Sequence, residues 1–266
     1  MISPIIGLLA LFSLTNASVI PNQAILHPSD PVTLSRPSWF TSTLLARRLL
    51  AKSPSGVIST IFPTESSSSS TPNSVAGLPI GLREYISDCD AALPKNLNPT
   101  NKEEGNPTIL ALRVATSFKN IGSNSNFSLE IDWWDHLDQA GPVYPGLPLS
   151  SAALPRVTLF GYLDPLHSGS ASGSEEGEGE ALGDLEECFL SSHPDAKVWL
   201  PGKAGSPHSS FWARMVVTHV YWIGGFGDVQ QIGWIDINEW KGVGRYRSEV
   251  GDGRGWEDVR LPGEEE

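Results

Sequence analysis

The stretch Val216-Val217-Thr218-His219-Val220-Tyr221-Trp222-Ile223-Gly224-Gly225-Phe226-Gly227 sets one imidazole in an apolar run and follows it with three glycines. Two chemistries would use such a pattern: a histidine general base, or a glycine loop cradling a phosphate. A dinucleotide fingerprint needs G-x-G-x-x-G opening a helix after a strand. Counted from Gly225, the third glycine position is Gln230, and a second β-type run, 229–235, follows in place of a helix. The segment therefore reads as a long strand and a hairpin connection whose glycines supply positive φ. Strand alternation puts Phe211, Ala213, Met215, Val217, His219, Tyr221 and Ile223 on one face, and Trp212, Arg214, Val216, Thr218, Val220 and Trp222 on the other. Both rows are mainly apolar, so His219 is expected to be a core residue with one hydrogen bond, not a base.

The other reactive residue types form no stronger constellation. His193, His208 and His219 share a region with Asp195, but no pair has the i, i+4 spacing of a helical zinc site, and His193-Pro194-Asp195 reads as a turn. No G-x-S-x-G is present, so a nucleophile elbow is not supported. Glu84, Glu130 and Asp132 could form an acid pair in principle, but they are scattered over different predicted strands. Trp133 and Trp134 could stack on a sugar or a partner, and with secretion they motivate a carbohydrate-binding β-sandwich as one alternative. No catalytic residue and no metal ligand set is assigned.

The elements that must position these residues are mostly strands. Alternating or β-rich runs occur at 56–62, 80–86, 108–114, 127–133, 156–163, 211–223 and 229–235. An amphipathic helix is predicted from Trp39, with Arg47, Arg48 and Lys52 toward its favourable C-terminal end. Short helices are predicted at 185–190 and at 236–240, the second capped by Asp236. Loops near 63–76, 90–106, 135–154 and 166–184 are polar, Ser-, Gly- or Pro-rich, and are expected to be disordered, as is a flexible tail at 244–266. Residues 19–35 are Pro-rich and irregular. Seven or so strands with few helices give one antiparallel barrel or sandwich with a flanking helix.

Bulk properties narrow the class. With 266 residues the chain is long enough for one large core, and 26 Gly and 21 Pro imply many turns. A net charge of −12 argues against nucleic acid or anionic lipid as the main partner. Residues 1–18 read as a secretory signal peptide, with an apolar run 5–14 and small residues Asn16-Ala17-Ser18 at the cut. That run is too short to span a bilayer, and no other segment could cross one. Two cysteines remain, Cys89 and Cys188; an even pair in an oxidising compartment suggests one disulfide, with two buried free thiols as the alternative. Asn126-Phe127-Ser128 is a glycosylation sequon.

From residue 36 to 243 the order of features resembles the CREG family, secreted glycoproteins on the split-barrel fold of pyridoxamine 5′-phosphate oxidase-like flavoproteins. The resemblance rests on WFTSTLLARRLLAK leading into GVISTIFP, on GLPIGLREYISDCD before GNPTILALRVA, on RVTLFGYLDPL before FLSSHPDAKVWLPG, and on HSSFWARMVVTHVYWIGGFGDVQQIGWIDINEW. The arrangement looks like the fungal-type members. The resemblance implies a mainly β fold, a six-stranded split β-barrel of FMN-binding type with a few flanking helices, as a homodimer. It implies a secreted protein, or one carried to the vacuole or lysosome, with an unidentified protein or glycan partner. Flavin-binding relatives grip the FMN phosphate with Ser/Thr and Lys/Arg near the end of the second barrel strand, because a phosphate needs cationic forks or clustered N–H donors. Here that strand end reads Tyr85-Ile86-Ser87-Asp88-Cys89-Asp90, where two acids flank Ser87, and Arg83, Arg113, Lys119 and Arg214 match no flavin motif. CREG proteins are themselves regarded as non-flavin members. The resemblance therefore implies a binding protein without cofactor; an FMN-dependent oxidoreductase on the same fold is the alternative.

Overall fold

The computed structural model describes residues 35–64, 71–123, 127–144, 147–166 and 182–264. The signal peptide, residues 19–34, the sequon asparagine Asn126 and the middles of the 63–76 and 166–184 loops lie outside the described residues. Among the described residues seven antiparallel strands form within or close to the alternating and β-rich runs: β1 Ser55–Ile61, β2 Pro79–Ser87, β3 Thr108–Leu112, β4 Phe127–Asp132, β5 Arg156–Pro165, β6 Ser210–Ile223 and β7 Ile232–Ile235. Their order is β3-β2-β1-β4-β5-β6-β7, and β3 also pairs with β6. Six strands thus close into a split β-barrel and β7 extends the sheet beyond the closure. The 14-residue β6 makes both possible. One of its edges carries β5, while the other carries β3 opposite Ser210–Arg214 and β7 opposite Val220–Ile223.

β6 departs from simple alternation. Phe160 of β5 pairs with His219, and Gly161 pairs with Val217, so Thr218 is an extra residue. Before this bulge Ala213, Met215 and Val217 are buried; after it Val220 and Trp222 are. The bulge therefore shifts the inward row by one residue and turns His219 outward. The expectation of a core histidine is corrected: His219 is exposed, its Nδ1 lies 3.1 Å from Thr218 Oγ1, and its ring meets Trp234 edge-on. Gly161 is required opposite the bulge, since a Cβ there would run into the Val216 carbonyl.

Among the described residues four α-helices flank the sheet: α1 Trp39–Lys52, α2 Thr116–Gly122, α3 Gly183–Ser192 and α4 Ile237–Gly242. Ser38 caps α1 by accepting the Thr41 N–H at 3.0 Å. This helix is buried all round from Ser42 to Leu50, which corrects the amphipathic reading. It packs on β4, β5 and α4, and Trp256, Val259 and Leu261 join the same core. The tail expected to be flexible instead supplies these three anchors within residues 244–264. A second apolar cluster, with Leu110, Leu185, Phe189 and Trp212, lies beneath α3.

Two loops expected to be disordered are built into the fold. In the first, Asp90–Ala92 makes a 3-10 turn, and Asn98 and Asn106 are buried. In 135–154, Ala140, Tyr144, Ala153 and Leu154 are buried, and Ser151–Ala153 forms another 3-10 turn.

Candidate functional site

β2 ends in Ser87, and the chain then turns through Asp88, Cys89 and Asp90 at the rim of a cleft of about 370 Å³. From α1 come Arg48 and Lys52, from the β2 end Asp88 and Cys89, from the loop before β3 Glu103, and from the C-terminal segment Arg245, Trp256 and Glu257. Cys89 and Cys188 are joined in a disulfide, with Cα atoms 6.0 Å apart, which ties the β2 end to α3 beside the cleft. The cleft is mixed in charge, and its ionic partners lie far apart in the chain.

Arg47, fully buried, stands at the centre of this charge arrangement. Its Nη1 donates to the carbonyls of Trp240 at 3.0 Å and Val243 at 2.6 Å. Its Nη2 faces Asp88 Oδ2 at 3.8 Å, beyond hydrogen-bond reach, and Nε has no hydrogen-bond partner. Burial raises the Asp88 carboxyl above its ordinary range; Arg47 opposes that rise and Glu103 adds to it. Burial pushes Asp90 up to about 7, and the adjacent charge of Asp88 adds to it. The Asn106 N–H, which donates to Asp90 Oδ2 at 2.9 Å, pulls the other way, as do Arg47 and Arg214.

The loop carrying these acids is held from both ends. Asn98 Nδ2 donates to the carbonyls of Asp90 at 3.0 Å and Lys102 at 2.9 Å. Asn106 Oδ1 accepts the Val217 N–H of β6 at 2.9 Å. Between them Gly105 takes φ +70°, and a Cβ would sit 2.6 Å from Arg47 Nε. Across the cleft, Arg48 grips Glu264 through Nη2 at 2.6 Å and Nε at 2.8 Å, and Lys52 reaches it at 2.9 Å. Desolvation opposes ionisation of Glu264, yet these cations and the Leu261 N–H hold it down to about 2.

The residues singled out in the sequence are dispersed. His193 is buried, stacks on Tyr85 with ring centroids 4.5 Å apart, and its Nε2 lies 2.9 Å from the Ile86 carbonyl. It joins α3 to β2, while His208 and His219 are exposed. Among the described residues no three His, Cys, Asp or Glu side chains are grouped to hold a metal. Glu84 pairs with Gly56 and Glu130 with Val57, adjacent residues of β1 that face opposite sides of the sheet. The two carboxylates therefore do not face each other. Trp133 is buried against His136, whereas Trp134 is exposed under Arg156. Arg113 lies over Phe211, and Arg214 pairs with Asp164 at 3.0 Å.

A flavin phosphate held at the β2 end would need converging donors and positive charge. The residues present do not fit that need. Ser87 is buried with its Oγ 3.3 Å from Cys89 Sγ, Asp88 and Asp90 follow, and Arg47 is committed to two carbonyls. Sequence reasoning singled out Ser87, Asp88 and Asp90 but missed Arg47, Glu103, Asn106 and Glu264. The adjacent arginines inside an otherwise apolar helix were the available signal, because a buried helix carries charge only where a partner meets it.

The family model for the CREG β-barrel matches residues 40–241. Among solved structures, the chain is similar to a heme binding protein from Mycobacterium smegmatis at 16% identity and TM-score 0.46, covering 77% of this chain and 61% of that one. A protein of unknown function from Agrobacterium tumefaciens matches at 16% and 0.44, covering 70% and 58%. A pyridoxamine 5′-phosphate oxidase-related, FMN binding protein from Nostoc punctiforme matches at 12% and 0.34, covering 71% and 85%. The chain thus spans about three fifths of the length of the mycobacterial and Agrobacterium proteins. No curated protein matches it. None of the described helices is long and apolar enough to cross a membrane.

Proposed function

The chain belongs to the CREG β-barrel family, and from that premise we propose that it is a secreted or endolysosomal glycoprotein that acts by binding a partner, not by catalysis. It works as a homodimeric split barrel that has lost its flavin, with glycosylation at Asn126. The observation that carries this reading is the β2 end. Where a phosphate would require donors, the chain places Asp88 and Asp90, both raised by burial, against an arginine already bonded to two carbonyls. A dianion brought there would meet carboxylates in a low-dielectric site, where repulsion is strong.

The visible spectrum of the purified secreted protein tests this. The expected result is no flavin absorbance, and no quenching of FMN fluorescence on titration. A stoichiometric flavin peak would overturn the reading in favour of an FMN-dependent oxidoreductase, in which the cofactor supplies the redox chemistry. Sedimentation of the same sample is expected to give a dimer; a monomer at all concentrations removes that part.

A further inference from the structure

The loop that walls the cleft carries Asp88 and Asp90, and of the two buried guanidiniums beside it Arg48 is paired with Glu264 while Arg47 faces Asp88. We propose that the segment 88–106 is a proton-operated wall of the cleft, closed on α1 and β6 while Asp90 is protonated and released when Asp88 and Asp90 are both ionised.

The geometry makes Asp90 the hub. Its carboxylate holds the Asn106 N–H, its carbonyl holds Asn98, and Asn106 in turn hooks the β6 backbone at Val217. The two ends of the segment and their attachment to the barrel therefore meet at one residue, and its carboxylate holds the Asn106 end, which carries the attachment to β6. The charged groups facing it are Arg47 from α1, Arg214 from β6, and Asp88 on its own segment. Glu103 acts on Asp88, and Glu104 reaches Asn106 Nδ2 at 3.2 Å. Arg48, Lys52, Arg245 and Glu257 line the cleft beyond. Arg48 is taken by Glu264 and Glu257, and Arg245 pairs with Glu257 at 3.3 Å, so Arg47 is the cation that faces Asp88. Two of its nitrogens make no hydrogen bond.

Full ionisation leaves a buried negative charge uncompensated, and such a charge is relieved by water. Water reaches Asp90 when the segment lifts from β6. The disulfide at Cys89 keeps one end in place, so the motion is an opening of the wall about that anchor. Beyond that anchor Ala91, Ala92 and Glu103 line the cleft and move with the wall. The sign follows from carboxyls whose folded values lie above their ordinary ones. Their stabilising contribution is present at acid pH and fades as pH rises, through about 7 for Asp90. A partner seated in the cleft is then held in an acidic lumen and released near neutrality. This biological use rests on the binding-protein reading; the proton-dependent motion does not, because a flavin in the purified protein would sink that reading and leave the motion to be measured independently.

The test is hydrogen exchange on the full, disulfide-intact protein at about pH 5 and about pH 7.5, corrected for intrinsic amide rates. Amides of 91–106 are expected to be about tenfold more protected at the acidic pH, with β4 and β5 unchanged. Asp90→Asn, which cannot ionise, should keep the acid-type protection at both values. Equal protection of the wild-type segment at the two values would overturn the proposal. So would a pH dependence that survives in Asp90→Asn, or in Asp88→Asn should the first variant not be secreted.

Discussion

At the scale of single residues, the strongest electrostatic commitment among the described residues is Glu264, which meets two cations of α1. It neutralises Arg48, whose side chain is 4% exposed, and it also holds Lys52. Removing one partner of a buried pair leaves the other uncompensated, so Glu264→Gln is expected to lower stability at neutral pH by about 3 kcal/mol. The pH dependence has a definite sign. The folded carboxyl is depressed to about 2, so its contribution is present above the ordinary value of 4.5 and is lost as pH falls toward 2. Thermal melts from neutral to acid pH should show a steep decline below about 4.5 in the wild type and a shallower one in the variant. A variant as stable as wild type at neutral pH would show that the pair contributes nothing net. This contact was not legible in the sequence, because Arg48 and Glu264 lie 216 residues apart and nothing local to either marks the other. Ser87, Asp88 and Asp90 were legible through the family resemblance, which directs attention to the end of the second barrel strand, where flavin-binding relatives hold the phosphate.

At the scale of elements, the seven strands could be read from alternating or β-rich runs, and the bulge in β6 could not. Alternation is a property of one strand, whereas a bulge is a mismatch between two: Thr218 is extra only because Gly161 pairs with Val217 and Phe160 with His219. The glycine in β5 was the visible trace of it. Gly161→Ala is expected to destabilise the barrel by about 2 kcal/mol, since the new methyl must displace the Val216 backbone. Urea unfolding measures this, and an unchanged midpoint would mean that the two strands shift freely past each other. The 90–106 loop failed for a different reason. Its composition is polar, but its asparagines are consumed internally: Asn98 and Asn106 satisfy backbone groups that a buried loop must pair. Composition reports polarity and does not report where the partners are.

At the scale of the whole molecule, the disulfide lies in the apolar cluster under α3 and ties the end of β2 to that helix. Its cysteines are 99 residues apart. A link closing a loop of that length is expected to contribute about 4 kcal/mol by restricting the unfolded chain. Replacing Cys89 and Cys188 together by Ser should therefore shift urea unfolding by roughly that amount. Mass spectrometry of the unreduced wild type should find no free thiol; two free thiols would remove the bond. The double pairing of β6 has a consequence for how the chain reaches this state. Closing the barrel brings Thr108 to Arg214, and nothing rewards that long loop until both strands are already placed. By loop length, the neighbours β1–β2 and β4–β5 are expected to gain their contacts first and the β3–β6 seam late. Until it forms, the open edges of both strands are free to pair with another chain, so the time spent before closure, more than the final stability, sets how readily this protein aggregates while it is being made.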